Sequence, residues 1–369
     1  MNLSFSKFFY AIASIIGIVA IMHFAKSMLV PVFFAMLFAF ILYPIVKWLT
    51  KKGLKKVLGI ILTMGGVFIL FSGVLVLFSA QIINMASQYS NFLEKLRETL
   101  EKSVTFLNDK VQIIPDIESQ TILDRLTNVF SDSSFLIISD TVSVTGSFLS
   151  FVVLASIYTF LILFYSEHLT EALTRFADKK KRKSFINMLR EVQKVGQQYF
   201  TGMLLLILVL GVLNTVGLLI LGMDYAFFFG FLAALLAIIP YVGTTLGGLI
   251  PTIYAFVAFD SYWYPLGVIL IFWFIQFIEG NFLNPKIVGG NMQINALFSI
   301  FSLIAGGFLW GIAGMILFLP LVAMLKVVCS HYEELEPVAS LIGERITEVQ
   351  RAPEKSAIEM LVEKLKSFD

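Results

Sequence analysis

Uncharged apolar runs recur along this chain, and six of them, 8–25, 27–46, 57–91, 141–166, 195–223 and 261–278, come near or exceed the roughly 20 residues that cross a bilayer as a helix. Charged residues make up only 14% of the sequence, well below the roughly 25% of soluble domains, so the apolar surplus has to face lipid. Two further stretches, 225–259 and 289–325, are too long for one plain helix, and glycines and prolines divide them near their middles. We read both as helical hairpins. The fold class expected is an all-α polytopic membrane protein of about six full spans plus two hairpins, flanked by amphipathic helices outside the membrane.

Much chemistry lacks material. One cysteine, Cys329, excludes an internal disulfide and a cysteine cluster, and the three histidines, His23, His168 and His331, are far apart in sequence. No metal and no cofactor is expected beyond a coupling ion, H+ or Na+. A net charge of +2 gives nucleic acid no electrostatic footing. Neither G-x-x-x-x-G-K-[ST], G-x-S-x-G nor H-E-x-x-H occurs, which argues against a nucleotide motor, a serine hydrolase and a zinc protease. An enzyme is not expected. The first run lacks the small-residue cleavage pattern and polar continuation of a secretory signal, and is expected to stay in the protein.

Positive charge gathers at Lys47, Lys51, Lys52, Lys55 and Lys56, and again at Arg175 and Lys179 through Lys183. The positive-inside rule places both clusters, and with them both termini, in the cytoplasm, with Lys26 at an outer turn. Two crossings separate the clusters, which keeps the assignment self-consistent. Residues 81–145 form an extracytoplasmic segment with a helical apolar face (Ile82, Ala86, Tyr89, Leu93, Leu96, Leu100), broken at Pro115. It is too small for a core of its own and is expected to pack on itself or on a neighbouring subunit. A cytoplasmic helix from Ser184 into the fifth span carries Phe185, Leu189, Val192, Val195 and Tyr199 on one face. The division expected is 1–80 for the first three membrane helices, 81–145 for the outer segment, 146–200 for the fourth span and basic helix, 201–328 for a transport region and 329–369 for a cytoplasmic helical tail.

The carboxyl half carries the functional signal. A helix followed by a hairpin occurs twice, entered from opposite faces, which is the order of an inverted repeat. The expected bends are at 240–248, with Pro240, Gly243, Thr244 and Thr245, and at 306–314, with Gly306, Gly307, Gly311 and Gly314. Leu249-Ile250-Pro251 comes after the first bend as Phe318-Leu319-Pro320 comes after the second. Arms of about 15 residues, near 22 Å at 1.5 Å per residue, point to re-entry instead of full crossing. Irregular backbone at membrane depth is tolerated where it lines a cavity, so the tips are candidate substrate or ion sites; the same glycines also suit close helix packing. Between the hairpins lies the most polar stretch of this half, including Gln276, Glu279, Asn281, Asn284 and Lys286. Glu279 either pairs with Lys286 in the interface or reaches the cavity to exchange a proton or hold a cation. Asn214 is a second buried polar candidate, alone within the fifth span.

Three strings, Ile239-Pro240-Tyr241-Val242-Gly243, then Ile278-Glu279-Gly280-Asn281-Phe282-Leu283-Asn284-Pro285-Lys286-Ile287-Val288-Gly289, then Leu309-Trp310-Gly311-Ile312-Ala313-Gly314 with Pro320, resemble the signatures of the autoinducer-2 exporter family of bacterial membrane proteins. The resemblance implies a transporter of the bacterial cytoplasmic membrane, assembled as a homo-oligomer, a pentamer among the expected forms. It marks Pro240, Gly243, Glu279, Asn281, Pro285, Gly289, Gly311, Gly314 and Pro320 as positions to test. Three functions are compatible with it: export of a small polar solute such as an autoinducer-2-like signal by alternating access, Na+(Li+)/H+ antiport, and a structural or sporulation-type protein that transports nothing. The partners expected are that solute or a monovalent cation, membrane lipid and further copies of the chain.

Overall fold

The computed structural model describes residues 5–87, 94–95, 98–99, 102, 146–239, 242–287 and 294–344. Most of the expected outer segment, Pro240, Gly289 and the tail beyond Glu344 lie outside the described residues. Those described are almost entirely helical and include no β-strand; Ile294 and Gly343 form one isolated bridge.

Helix α1 (Phe5–Phe24) passes into α2 (Lys26–Lys51) through Ala25 alone. The Ala25 N–H donates to the Ile21 carbonyl, and the Ala25 carbonyl accepts from Leu29, both at 2.9 Å. Both bonds end at Ala25, a turn residue that belongs to neither helix. A turn at Ala25 thus separates the two helices, one residue before the turn expected at Lys26, although residues 24–27 contain neither glycine nor proline. Pro31 and Pro44 lie further inside α2. Its end is set by Gly53 (φ 97°): the Gly53 N–H donates to the Thr50 carbonyl and that of Leu54 to Leu49, a Schellman closure that needs the left-handed backbone glycine supplies.

Helix α3 (Lys56–Ser87) returns beside α2. The fourth span, α4 (Gly146–Phe164), joins them at a cluster of Ala39, Leu42, Val46, Ile60 and Leu163. The short polar α5 (Ser166–Arg175) is next in the chain. Then comes α6 (Arg182–Ile220), 39 residues long and about 58 Å at 1.5 Å per residue, which merges the basic helix and the fifth span into one rod. Met188, Val195, Tyr199 and Phe200 form its buried face in the basic half. Gly222 (φ 67°) closes α6 with a second Schellman pair, Gly222 to Leu219 and Met223 to Leu218. Tyr225, left-handed at φ 56° and held edge-on by the Tyr254 ring at 5.9 Å, reverses the chain.

The first hairpin is α7 (Ala226–Leu236) and α8 (Val242–Ala258); α9 (Trp263–Ile278) comes after it, then a π-helical segment (Glu279–Leu283) and α10 (Asn284–Ile287). The second hairpin is α11 (Ala296–Trp310) and α12 (Ile312–Ser330), and a short α13 (Glu336–Ile342) ends the described chain. Both hairpins dock on α6, at different halves of it. Leu218 of α6 packs with Ala226, Phe228 and Phe229 of the first hairpin, whereas Val195, Tyr199 and Phe200 pack with Trp310, Leu317 and Met324 of the second. The second arm of each hairpin lies against the long helix of the other unit, α8 on α9 and α12 on α6. Each of those arms carries a fully buried proline, Pro251 and Pro320.

The hairpin tips differ from expectation. Gly247 and Gly248 lie inside α8, and Thr244 and Thr245 lie in its first turns, so the first bend ends before Val242 and not at 248. In the second hairpin the break is Gly311 alone (φ 62°), with Gly306 and Gly307 inside α11 and Gly314 inside α12. Its arms are unequal, and α12 at 19 residues is long and apolar enough to span a membrane. Bulky side chains point outward along these helices, Trp273 and Phe274 on α9 and Phe301 and Phe308 on α11, an apolar exterior that only lipid or another copy can cover.

Candidate functional site

The first hairpin, α6 and α9 enclose a cavity of about 20 Å³, lined by Leu210, Asn214, Ala233, Ala237, Thr244, Gly247, Phe272, Ile275, Gln276 and Glu279. That is room for about one water. Three of the sequence candidates, Asn214, Thr244 and Glu279, thus meet at one place from three different elements.

The backbones here approach closely because small residues face one another. A Cβ on Gly230 of α7 would strike Thr215 of α6, including its backbone nitrogen at 2.5 Å, and one on Gly247 of α8 would lie 3.0 Å from Ala233 of α7. A Cβ on Gly243 would strike the Leu236 carbonyl at the tip, so this glycine seats α8 on the end of α7.

Asn214 is 4% exposed. Its Nδ2 reaches the Gly230 carbonyl at a long 3.5 Å, and its Oδ1 is buried with no donor. The neighbouring Thr215 Oγ1 is in the same condition. Glu279 is 6% exposed, and Gln276, on the rim, shares a hydrogen bond with its carboxyl. Pro251 has no N–H to offer the carbonyl four residues before it, that of Gly247, itself a lining residue. The cavity wall therefore includes a residue with a carboxyl group, Glu279, and one with a buried amide oxygen lacking a donor, Asn214.

Glu279 opens the π-helical segment, in which the Asn284 N–H donates to the Glu279 carbonyl five residues back. Such bulges sit frequently at functional positions. One extra residue in the turn changes the direction in which the next side chains point. Asn281 is exposed, and its Nδ2 donates to the Phe277 carbonyl at 2.9 Å; it supports the bulge and does not line the cavity. Pro285, also exposed, lies directly beyond it in α10. The interfacial alternative for Glu279, a pair with Lys286, is absent among the described ion pairs.

The second tip is built otherwise. A Cβ on Gly306 would strike the Gly314 carbonyl and the reverse, and one on Gly307 would meet the Met315 methyl at 2.6 Å. These glycines make a tight helix crossing, and Pro320 is buried further along α12. Trp310 anchors the tip, its Nε1 donating to the Met22 carbonyl at 2.8 Å with its ring against Phe33 and Phe318. Thr245 is exposed on α8. Gln276, Gly247 and the apolar walls Leu210, Phe272 and Ile275 complete the first-hairpin site and were not separable by sequence from interfacial or lipid-facing positions.

Long apolar helices, two hairpins crossed onto a central rod and a buried polar cavity beside one of them define a multi-pass helical membrane protein. The family comes from sequence comparison: the model described as AI-2E family transporter matches residues 12–334, and the chain belongs to that family. A putative transport protein of Bacillus subtilis, YrrI, is 28% identical over 83% of this chain and 87% of its own length. The putative transport protein YhhT of Escherichia coli is 25% identical over 90% and 93%. The AI-2 transport protein TqsA of Escherichia coli is 32% identical over 34% of this chain and 36% of its own. This chain is a membrane transport protein.

Proposed function

We propose that the protein is a secondary transporter that exports a small polar solute of the autoinducer-2 kind by alternating access, with the Asn214–Thr244–Glu279 cavity as its binding site. The observation that carries the reading is the buried Asn214 Oδ1 without a donor on a cavity shared with Glu279. An unpaired buried acceptor costs about 1–3 kcal/mol, and a ligand that donates a hydrogen bond removes that cost. The name of TqsA, an AI-2 transport protein, supports the cargo class. Residues 201–328 form the moving part against a frame of 1–80. A cavity of about 20 Å³ holds no solute of several heavy atoms, so loading requires α7 and α8 to part from α9. Gly248 of α8, against the Phe272 ring of α9, offers a smooth surface for that motion. The lysine clusters orient both termini to the cytoplasm of a bacterial inner membrane, and the exposed apolar faces suit a homo-oligomer, a pentamer among its forms.

A second reading, Na+(Li+)/H+ antiport at the same site, is favoured by one observation: the cavity is the size of a water or a desolvated ion, with a carboxyl group in its wall. Proteoliposomes loaded with a furanone-type signal molecule or with sodium, under an imposed proton gradient, separate the two. Signal efflux without sodium dependence supports export. Sodium-for-proton exchange alone supports antiport, and silence in both assays removes both cargoes.

A further inference from the structure

At the basic end of the α2–α3 hairpin, where α4 passes into α5, a cleft of about 370 Å³ is lined by Lys47, Lys51, Lys56, Thr50, Ser166 and Glu167 over apolar residues that include Val46, Leu54 and Leu163. Val46 and Leu163 are buried at its floor. Glu167 pairs with Lys56 at 3.3 Å, and Lys56 also reaches Ser166 Oγ at 3.3 Å. Lys47 stands 5.8 Å from the centre of the Tyr43 ring. Among the described residues neither Lys47 nor Lys51 has a carboxylate partner. Three ammonium groups against one carboxylate leave two positive charges over an apolar floor.

Lysines that served only to orient the chain would do so from any solvated loop. Here they rim a concave site that has hydroxyl groups at Thr50 and Ser166. Outside it, the exposed Ile45, Trp48 and Leu58 continue the apolar surface along α2 and α3. We propose that this cleft binds the phosphate-bearing headgroup of an anionic phospholipid: Lys47 and Lys51 take the phosphate, Thr50 and Ser166 face the glycerol region, and the acyl chains lie along the apolar wall. Basic residues beside a span attract anionic lipid electrostatically. A free phosphate would satisfy the lysines and leave the floor unused.

The test uses full-length protein in neutral detergent and monitors thermal unfolding with added phosphatidylglycerol, phosphatidylcholine or inorganic phosphate. Phosphatidylglycerol is expected to raise Tm by a few degrees, and the other two by less than half as much. The shift should fall at least twofold in Lys47→Gln/Lys51→Gln, persist in the control Lys179→Gln/Lys180→Gln, and grow in Glu167→Gln, which releases Lys56; that gain cannot come from misfolding. Equal shifts with phosphatidylcholine, a full shift in the Lys47/Lys51 variant, or the same shift with inorganic phosphate alone would each overturn the proposal, the last by assigning a free-anion site.

Discussion

Gly306 and Gly314 lie backbone against backbone across the second hairpin, each positioned so that a Cβ on one would strike the carbonyl of the other. The crossing has no room for a methyl group. Gly306→Ala and Gly314→Ala should each destabilise the protein by about 1–3 kcal/mol, the range of core overpacking, or more where the obstacle is backbone. Gly311→Ala is expected to cost about 1–3 kcal/mol for a different reason, a backbone at φ 62° and ψ −141° that L residues rarely adopt. Gly280 meets nothing within 4 Å, so Gly280→Ala is the neutral control. Fluorescence size-exclusion after a heat step in detergent ranks all four, and a Gly280 variant as unstable as the Gly306 one would contradict this packing account.

Stability and transport are expected to separate at Asn214. Its Oδ1 is a buried acceptor with no donor, so Asn214→Leu, similar in volume, removes a desolvated polar group and should leave stability unchanged or raise it by up to about 1 kcal/mol. Transport in proteoliposomes should fall at least tenfold. A destabilised Asn214→Leu variant that transports normally would show that the amide serves packing, through Gly230, and not a ligand.

Glu279→Gln keeps the shape of the side chain and its place at the head of the π-helical segment, and should assemble as the parent does. If Glu279 is the exchanging group, cation movement in this variant loses its dependence on the proton gradient, whereas Glu279→Asp retains it at a reduced rate. Equal gradient dependence in parent and Gln variant, measured with a pH-sensitive dye in the vesicle lumen, would end the proton-coupling role.

The helical membrane fold was legible because lipid demands long uncharged runs, and Asn214 and Glu279 stood out because polar groups inside such runs are costly. The hairpins could be anticipated from their punctuation, but the tips could not. A glycine that relaxes a turn and one that admits a neighbouring helix look alike in sequence, and at 247, 248, 306, 307 and 314 the second use prevails. Ala25 shows the converse: neither glycine nor proline stands at 24–27, yet the chain turns there between α1 and α2, beside the turn expected at Lys26. The π-helical turn had one local signal, Pro285 closing a polar run. The partners of Asn214 across α6, α7 and α9 depend on tertiary packing that a linear pattern does not carry.

Asn295 joins the second hairpin to the end of the described chain, and its two side-chain functions can be removed one at a time. Its Oδ1 caps α11 by accepting from the Phe298 N–H at 2.9 Å, while Nδ2 donates to the Leu341 carbonyl at 2.7 Å and that of Gly343 at 3.2 Å. The Asn295 backbone N–H adds a bond to Ile342 at 3.0 Å, so Asn295 ties the end of α13 to the base of α11. Asn295→Asp keeps a good N-cap but replaces the donor with an oxygen facing two carbonyls, which should release α13 while leaving α11 intact. Asn295→Ala loses both, with about 1 kcal/mol for the cap alone. Hydrogen exchange of the full chain should therefore show faster exchange over 336–343 in both variants, and over the first turn of α11 in the alanine variant only. Equal protection of 336–343 in all three proteins would mean that the contacts of α13 with α12 hold it without Asn295.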